Sequence, residues 1–236
     1  MGFYDNFWKS NTASVSKIGK KIIAFQNSFF LNLIRKHSKN KSNISLLEIG
    51  PGKGFFAEYC KKNGIKNYAA IEQNKSMANS LKNKGFKVYC QRVPPIKVKS
   101  KFDIIFMNQV FEHMKDLDEA ISLLQSCRKK LNKGGLLMIA SPEINFWKEH
   151  FYSDYTHCYE TSLERLNQMF FDYDLEVLYK NYYTFFVRGY FLTKIISSLA
   201  LAFYNLGIFK IIFRKKNFKV KNSLLGSFVI VGKKND

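Results

Sequence analysis

The sequence lacks the features that send a chain out of the cell or staple it once there. Its start, Met1 to Lys9, sets Asp5 among aromatic residues and shows no basic region followed by an apolar one, so no secretory leader is read. Its cysteines, Cys60, Cys90, Cys127 and Cys158, stand far apart, with no Cys-x-x-Cys and no Cys/His run at zinc spacing. That excludes a disulfide framework and a structural zinc site, and predicts free thiols in a cytoplasmic setting. Acidic residues are also few, 18 against 38 basic, for a net charge of +20. Of the basic residues 32 are lysines spread along the chain. With no arginine-rich patch, nucleic acid is not the expected partner, whereas a phosphate or a membrane surface fits the charge.

What is present suits one domain. The 236 residues are enough for a single sizeable core. An amphipathic stretch from Ile18 to Ile34 predicts a leading helix, followed by a polar spacer from His37 to Asn43. The chain therefore divides into a helical lead-in (1–43) and a main domain (44–236). From there short apolar runs alternate with helical patterns. Strands are predicted at Ile44–Ile49, Tyr68–Ile71, Phe86–Tyr89, Phe102–Met107 and Leu136–Ala140, and helices at Phe55–Lys62, Met77–Lys84 and Asp116–Leu131. Asp116 caps the last of these and Gly134-Gly135 ends it. Alternation of this kind means βαβ units and a mostly parallel sheet with helices on both faces. Beyond an aromatic, histidine-bearing stretch (Phe146–Tyr159) come a helix (Thr161–Phe171), an extended segment (Leu175–Phe186), an apolar and basic insertion (about 188–221) and a final strand (Leu225–Val231).

The most informative run is Leu46-Leu47-Glu48-Ile49-Gly50-Pro51-Gly52-Lys53-Gly54. A strand enters a turn whose alternate glycines let backbone approach a ligand, and a helix follows directly. Phe55 stands where a dinucleotide fingerprint needs its last glycine and where a P-loop needs a lysine, so both are excluded. An acidic residue leading into Gly-x-Gly-x-Gly resembles motif I of class I S-adenosylmethionine-dependent methyltransferases. Glu72, at the end of the next strand, is positioned to accept both ribose hydroxyls of that cofactor. Phe102 to Met114 resembles the family's fourth strand and following loop, and Lys133-Gly134-Gly135-Leu136-Leu137 its entry to the fifth. The resemblance runs from Ile44 to Ser141 and implies a Rossmann-like, seven-stranded sheet. It also implies S-adenosylmethionine held by Glu48, Gly50, Gly52, Gly54, Glu72, Gln73, Gln91, Asn108 and Gln109. The chain departs from the family at Cys90-Gln91-Arg92-Val93, where the usual adenine-binding carboxylate is missing; Gln91 or a backbone group takes its place.

Methyl transfer from a sulfonium needs the acceptor held in line, and a hydroxyl acceptor gains from a base. The run Asp154-Tyr155-Thr156-His157 resembles the Asp-x-Thr-His segment of methyltransferases linked to polysaccharide biosynthesis. It makes His157 the first candidate for the base, with Asp154 as its orienter, against a structural or substrate-orienting role. His113, after the fourth strand, is a second candidate, whereas His37 is read as solvated. No ligand cluster marks a metal site in the sequence. In the insertion, 15 charge-free residues lie between Lys194 and Lys210, too few to span a bilayer. On a helix Thr193, Lys194, Ser197, Ser198, Tyr204 and Asn205 share one face, interrupted by Leu201, and Ile195, Ile196, Leu199, Ala200, Ala202, Phe203, Leu206 and Gly207 the other. Lys210, Arg214, Lys215, Lys216, Lys219 and Lys221 follow. Packing of the apolar face on the sheet, contact with an anionic membrane surface and a dimer interface all remain open. The expected activity is O-methylation of a sugar hydroxyl in a surface polysaccharide or its lipid-linked precursor. The alternatives are a quinone precursor or fatty acid as acceptor, an RNA methyltransferase, disfavoured by Asn108-Gln109-Val110-Phe111, and a non-catalytic, membrane-associated protein on the same scaffold.

Overall fold

The computed structural model describes residues 17–39, 43–185, 187–213 and 217–235. The chain's start at Met1–Lys9 and the basic residues Arg214, Lys215 and Lys216 lie outside them. The order is α1 (Lys17–His37), β1 (Ser45–Ile49), α2 (Phe55–Lys62), β2 (Asn67–Glu72), α3 (Lys75–Asn83), β3 (Lys87–Cys90), β4 (Phe102–Asn108), α4 (Leu117–Lys130) and β5 (Leu131–Pro142). Then come α5 (Ile144–Trp147), α6 (Leu163–Asp172), β6 (Leu175–Tyr183), α7 (Tyr190–Asn205), α8 (Ile208–Phe213), α9 (Asn217–Leu224) and β7 (Ser227–Lys234). One seven-stranded sheet has the order β3-β2-β1-β4-β5-β7-β6. Strands β1 to β5 pair in parallel, and β7 runs antiparallel to both its neighbours. This is the Rossmann-like fold expected from the alternation of strand and helix patterns.

Both faces of the sheet are covered, which is why β1 and β4 are buried along nearly their whole length rather than on alternate residues. One face packs Leu47, Ile105 and Ile139 under Leu123 and Leu124 of α4 and Leu166 and Phe170 of α6. The other packs Leu46, Phe106 and Met138 under Phe30 and Ile34 of α1 and Phe56 of α2. Phe30, Leu31, Leu33 and Ile34 bring α1 into this cluster. Asp116 caps α4 as expected, accepting from the Glu119 amide at 2.9 Å. Gly134-Gly135 does not end that helix: α4 stops at Lys130 and the glycines lie within β5. A Cβ on Gly135 would come within 3.0 Å of the Asp103 carbonyl oxygen, so the glycine permits the close approach of β5 to β4.

Candidate cofactor cleft and acceptor cavity

Two adjoining cavities open at the carboxyl edge of the sheet, where ligands of open α/β folds bind. The larger, 730 Å³, is lined by Gly50, Gly52, Glu72, Gln73, Gln91 and Gln109, with Ile71, Met77, Arg92 and Val93. Gly50 and Gly52 hold φ of 70° and 53° as the chain leaves β1. A Cβ on Gly50 would sit 2.5 Å from Val110 Cγ2, whereas one on Gly52 would meet nothing within 4 Å. Gly52 therefore faces open space, and its backbone is free to approach a ligand. Glu72 is buried at the end of β2. Its carboxylate accepts from the amides of Gly52 (3.2 Å) and Asn74 (2.9 Å). Burial raises its pKa, with those amide bonds working in the opposite direction. A glycine cradle beside an anchored carboxylate, in a cleft of nucleoside size, fits S-adenosylmethionine.

Three residues expected on the cofactor lie elsewhere. Glu48 is buried on β1 and pairs with the Tyr68 hydroxyl rather than lining the cleft. Burial pushes its pKa up to about 8, against the opposing effect of the Tyr68 bond. Gly54 also stands back from the cleft, because it starts α2 and packs closely on Leu81. Asn108 turns into the second cavity.

That second cavity, 380 Å³, is lined by Asn108, Glu112, Trp147, His157, Thr184 and Asn222, among others. Gln109, His113 and Asp154 line both cavities and so mark the passage between them. Gln109 is a non-glycine residue at φ 57°, a costly conformation of the kind that gathers at functional sites. Gln26 of α1 and Leu225, just past α9, also reach this cavity. No sequence signal pointed to Gln26, Trp147 or Asn222, because their elements meet only through tertiary packing.

The His157 ring is nearly buried, and its Nδ1 lies 2.8 Å from the Phe151 carbonyl oxygen. A carbonyl only accepts, so Nδ1 carries the proton and Nε2 the lone pair. Burial holds the pKa of His157 below its ordinary value. Asp154 does not orient this ring. Its carboxylate accepts from the Thr156 amide (3.0 Å) and hydroxyl (2.6 Å), and the Phe151 carbonyl orients His157 instead. Although burial acts to raise the pKa of Asp154, those Thr156 bonds and the nearby histidines hold it below the ordinary range. His113 Nδ1 lies 3.0 Å from both the Thr156 carbonyl and hydroxyl oxygens. Glu112 is fully buried and accepts from the Ser141 hydroxyl at 2.7 Å. Ligand atoms of Glu112, His113 and His157 all lie within 4.8 Å of one another. The fold thus assembles a group able to share a proton or hold a cation, although the sequence shows no cluster. His150, on the turn after α5, points away toward the insertion, with Nδ1 3.2 Å from Lys221 Nζ.

Comparison with known proteins agrees with the cleft. A methyltransferase-domain family model matches residues 24–180. The ubiquinone biosynthesis O-methyltransferase of Pelagibacter ubique (strain HTCC1062) is 32% identical over 114 residues, 46% of each protein. The chain thus spans less than half the length of that relative. A SAM-dependent methyltransferase of Archaeoglobus fulgidus superposes with a TM-score of 0.63 at 19% identity, covering 99% of this chain and 100% of its own. The N-methyltransferase NodS of Bradyrhizobium japonicum WM9 gives a TM-score of 0.61 at 12% identity, covering 99% and 100%. At such identities these structures speak for the fold alone. Fold, glycine cradle and family match together make this chain a member of the class I S-adenosylmethionine-dependent methyltransferases.

Proposed function

We propose that the enzyme methylates a sugar hydroxyl of a surface polysaccharide or its lipid-linked precursor, the latter met at the cytoplasmic face of a membrane. The observation that carries this reading is a set of unmet hydrogen-bonding groups in the 380 Å³ cavity. Asn108 Oδ1, Glu112 Oε1, Thr184 Oγ1 and Asn222 Oδ1 are buried there with no partner among the described residues. Three of the four can only accept, so they call for a ligand rich in O–H donors. An acyl chain in this cavity would leave each unpaired, at about 1–3 kcal/mol apiece.

S-adenosylmethionine, bound in the larger cleft, supplies a methyl group on a sulfonium. The acceptor is held in the smaller cavity and reaches that methyl through the passage at Gln109, His113 and Asp154. As the acceptor hydroxyl oxygen took up that methyl group, leaving the thioether behind, His157 Nε2 would take the hydroxyl proton. His157 suits the part because its Nδ1 proton is committed to Phe151 and its lowered pKa keeps it neutral. Asp154 and His113 position the acceptor at the passage, and Glu112 steadies the imidazolium that forms.

A second reading is an acceptor in ubiquinone biosynthesis, favoured by the Pelagibacter ubique relative. The test is transfer of labelled methyl from S-adenosylmethionine to nucleotide-linked sugars, lipid-linked sugars and quinone precursors, run with a chelator and with added divalent cations. Methylation of the linked sugars is expected. Methylation confined to quinone precursors, or to free small metabolites, would overturn the sugar reading. Activity abolished by the chelator would move His157 from base to ligand.

A further inference from the structure

We infer that the insertion docks the enzyme on an anionic phospholipid surface through the outward face of α7 and α8. The inference deepens the reading of a lipid-linked acceptor, on which it rests for its purpose, by naming the surface at which that acceptor is met.

Helix α7 leaves much of its apolar surface uncovered. Its inward side mixes small polar and apolar groups: Thr193, Ser197, Ala200 and Leu201 are buried. The Ser197 hydroxyl donates to the Thr193 carbonyl at 2.7 Å and accepts from the Gly226 amide at 2.9 Å. A Cβ on Gly226 would lie 2.6 Å from Thr193 Cγ2, so the helix seats closely on the start of β7 through these small groups. Its outward side is apolar. Phe191, Ile195, Leu199, Phe203 and Leu206 follow one another at three- or four-residue steps along one stripe. Their exposures are 71%, 40%, 51%, 44% and 72%, and Ile211 of α8 extends the patch at 77%. Of the 14 exposed large hydrophobic residues among those described, nine lie between Tyr190 and Ile212. Single exposed leucines are ordinary, but a continuous apolar patch marks a contact surface.

Charge selects the occupant. Lys194 and Lys210 are exposed beside the patch, and the sequence has no acidic residue between Glu176 and Asp236. A second copy would set one basic face against another, whereas an anionic leaflet complements both the charge and the apolar stripe. No helix among the described residues is long and apolar enough to cross a membrane, so α7 would lie in the interface. Asn222 and Leu225, on and just past α9, line the acceptor cavity. Docking through the insertion therefore brings that cavity to the lipid surface.

The test is flotation of the full chain, without any acceptor, with vesicles of phosphatidylcholine alone and of phosphatidylcholine with an equal part of phosphatidylglycerol. The wild type is expected to float with the anionic vesicles only, and less so as salt rises. Lys194→Gln and Lys210→Gln should each lower the partition coefficient about five-fold. The triple variant Phe191→Ser, Leu199→Ser, Leu206→Ser should lose flotation while its S-adenosylmethionine affinity stays unchanged. Failure of the wild type to float, or indifference to the two lysine substitutions, would overturn the inference. So would a dimer that the triple variant dissolves in the absence of lipid binding. Flotation without methylation of any lipid-linked sugar would leave docking standing and remove only the acceptor reading.

Discussion

Glu48 makes folding stability depend on pH in a direction opposite to that of an ordinary acid. Most carboxylates are better stabilised as anions in the fold and lose that stability on acidification. Glu48 is buried against Tyr68, and burial raises its pKa from 4.5 to about 8. Between those two values the folded chain holds a proton that the unfolded chain has released. The contribution of Glu48 is therefore fully present below pH 4.5 and is lost as pH rises through about 8. At 1.36 kcal/mol per pH unit the ceiling is roughly 5 kcal/mol. Relaxation around the charge will leave less. Glutamine has the shape of the protonated acid and no proton to lose, so Glu48→Gln should match the wild type at pH 5 and exceed it at pH 9. For a chain of this size 1 kcal/mol moves Tm by about 2–4 °C. Differential scanning calorimetry across that range should then show a gap of several degrees opening toward alkaline pH. Titrating groups that do not interact with Glu48 drop out of the difference, whereas Tyr68 and Cys60 feel its charge. Parallel Tm curves for the two proteins would refute a protonated Glu48.

His157→Asn should lower kcat by about 10²–10⁴ while leaving cofactor affinity intact, as read by kinetics and calorimetry. Because burial lowers the pKa of His157, the neutral base should persist below the ordinary histidine value, with kcat/KM falling only as pH drops through that lowered value; an acid limb above pH 6.5 would contradict this. Gly52→Arg should fold, at a cost of about 1–2 kcal/mol for a side chain at positive φ, yet lose S-adenosylmethionine binding in calorimetry because nothing in the protein fills the space it enters. Glu72→Ala should weaken the same binding about ten-fold or more, since two hydrogen bonds to a charged group are removed.

The cleft was legible where its chemistry runs along the chain. A glycine turn after a strand and a carboxylate ending the next strand are local patterns, and Gly50, Gly52 and Glu72 lie together as those patterns imply. Glu48 belongs to the same motif, but alternation along β1 turns its side chain toward Tyr68, a contact made by the neighbouring strand. The acceptor cavity was only half legible. His157 and His113 stood out by residue type, but the Phe151 carbonyl that fixes the His157 tautomer comes from the turn after α5. In α7 the sequence separated a polar from an apolar face without saying which was inside. Packing decided it: Thr193 and Ser197 seat on Gly226, and Ala200 and Leu201 are buried beside them.

The passage at Gln109, His113 and Asp154 joins two rooms with different authors along the chain. The donor room is built wholly within residues 24–180, the stretch held in common with the family. The acceptor room borrows Tyr183, Thr184, Asn222 and Leu225 from the stretch beyond it. Changes in that later stretch can alter which molecule receives the methyl without touching how the methyl is delivered. Exchanging 183–227 between related enzymes should therefore move acceptor choice as a unit, with the affinity for S-adenosylmethionine left behind.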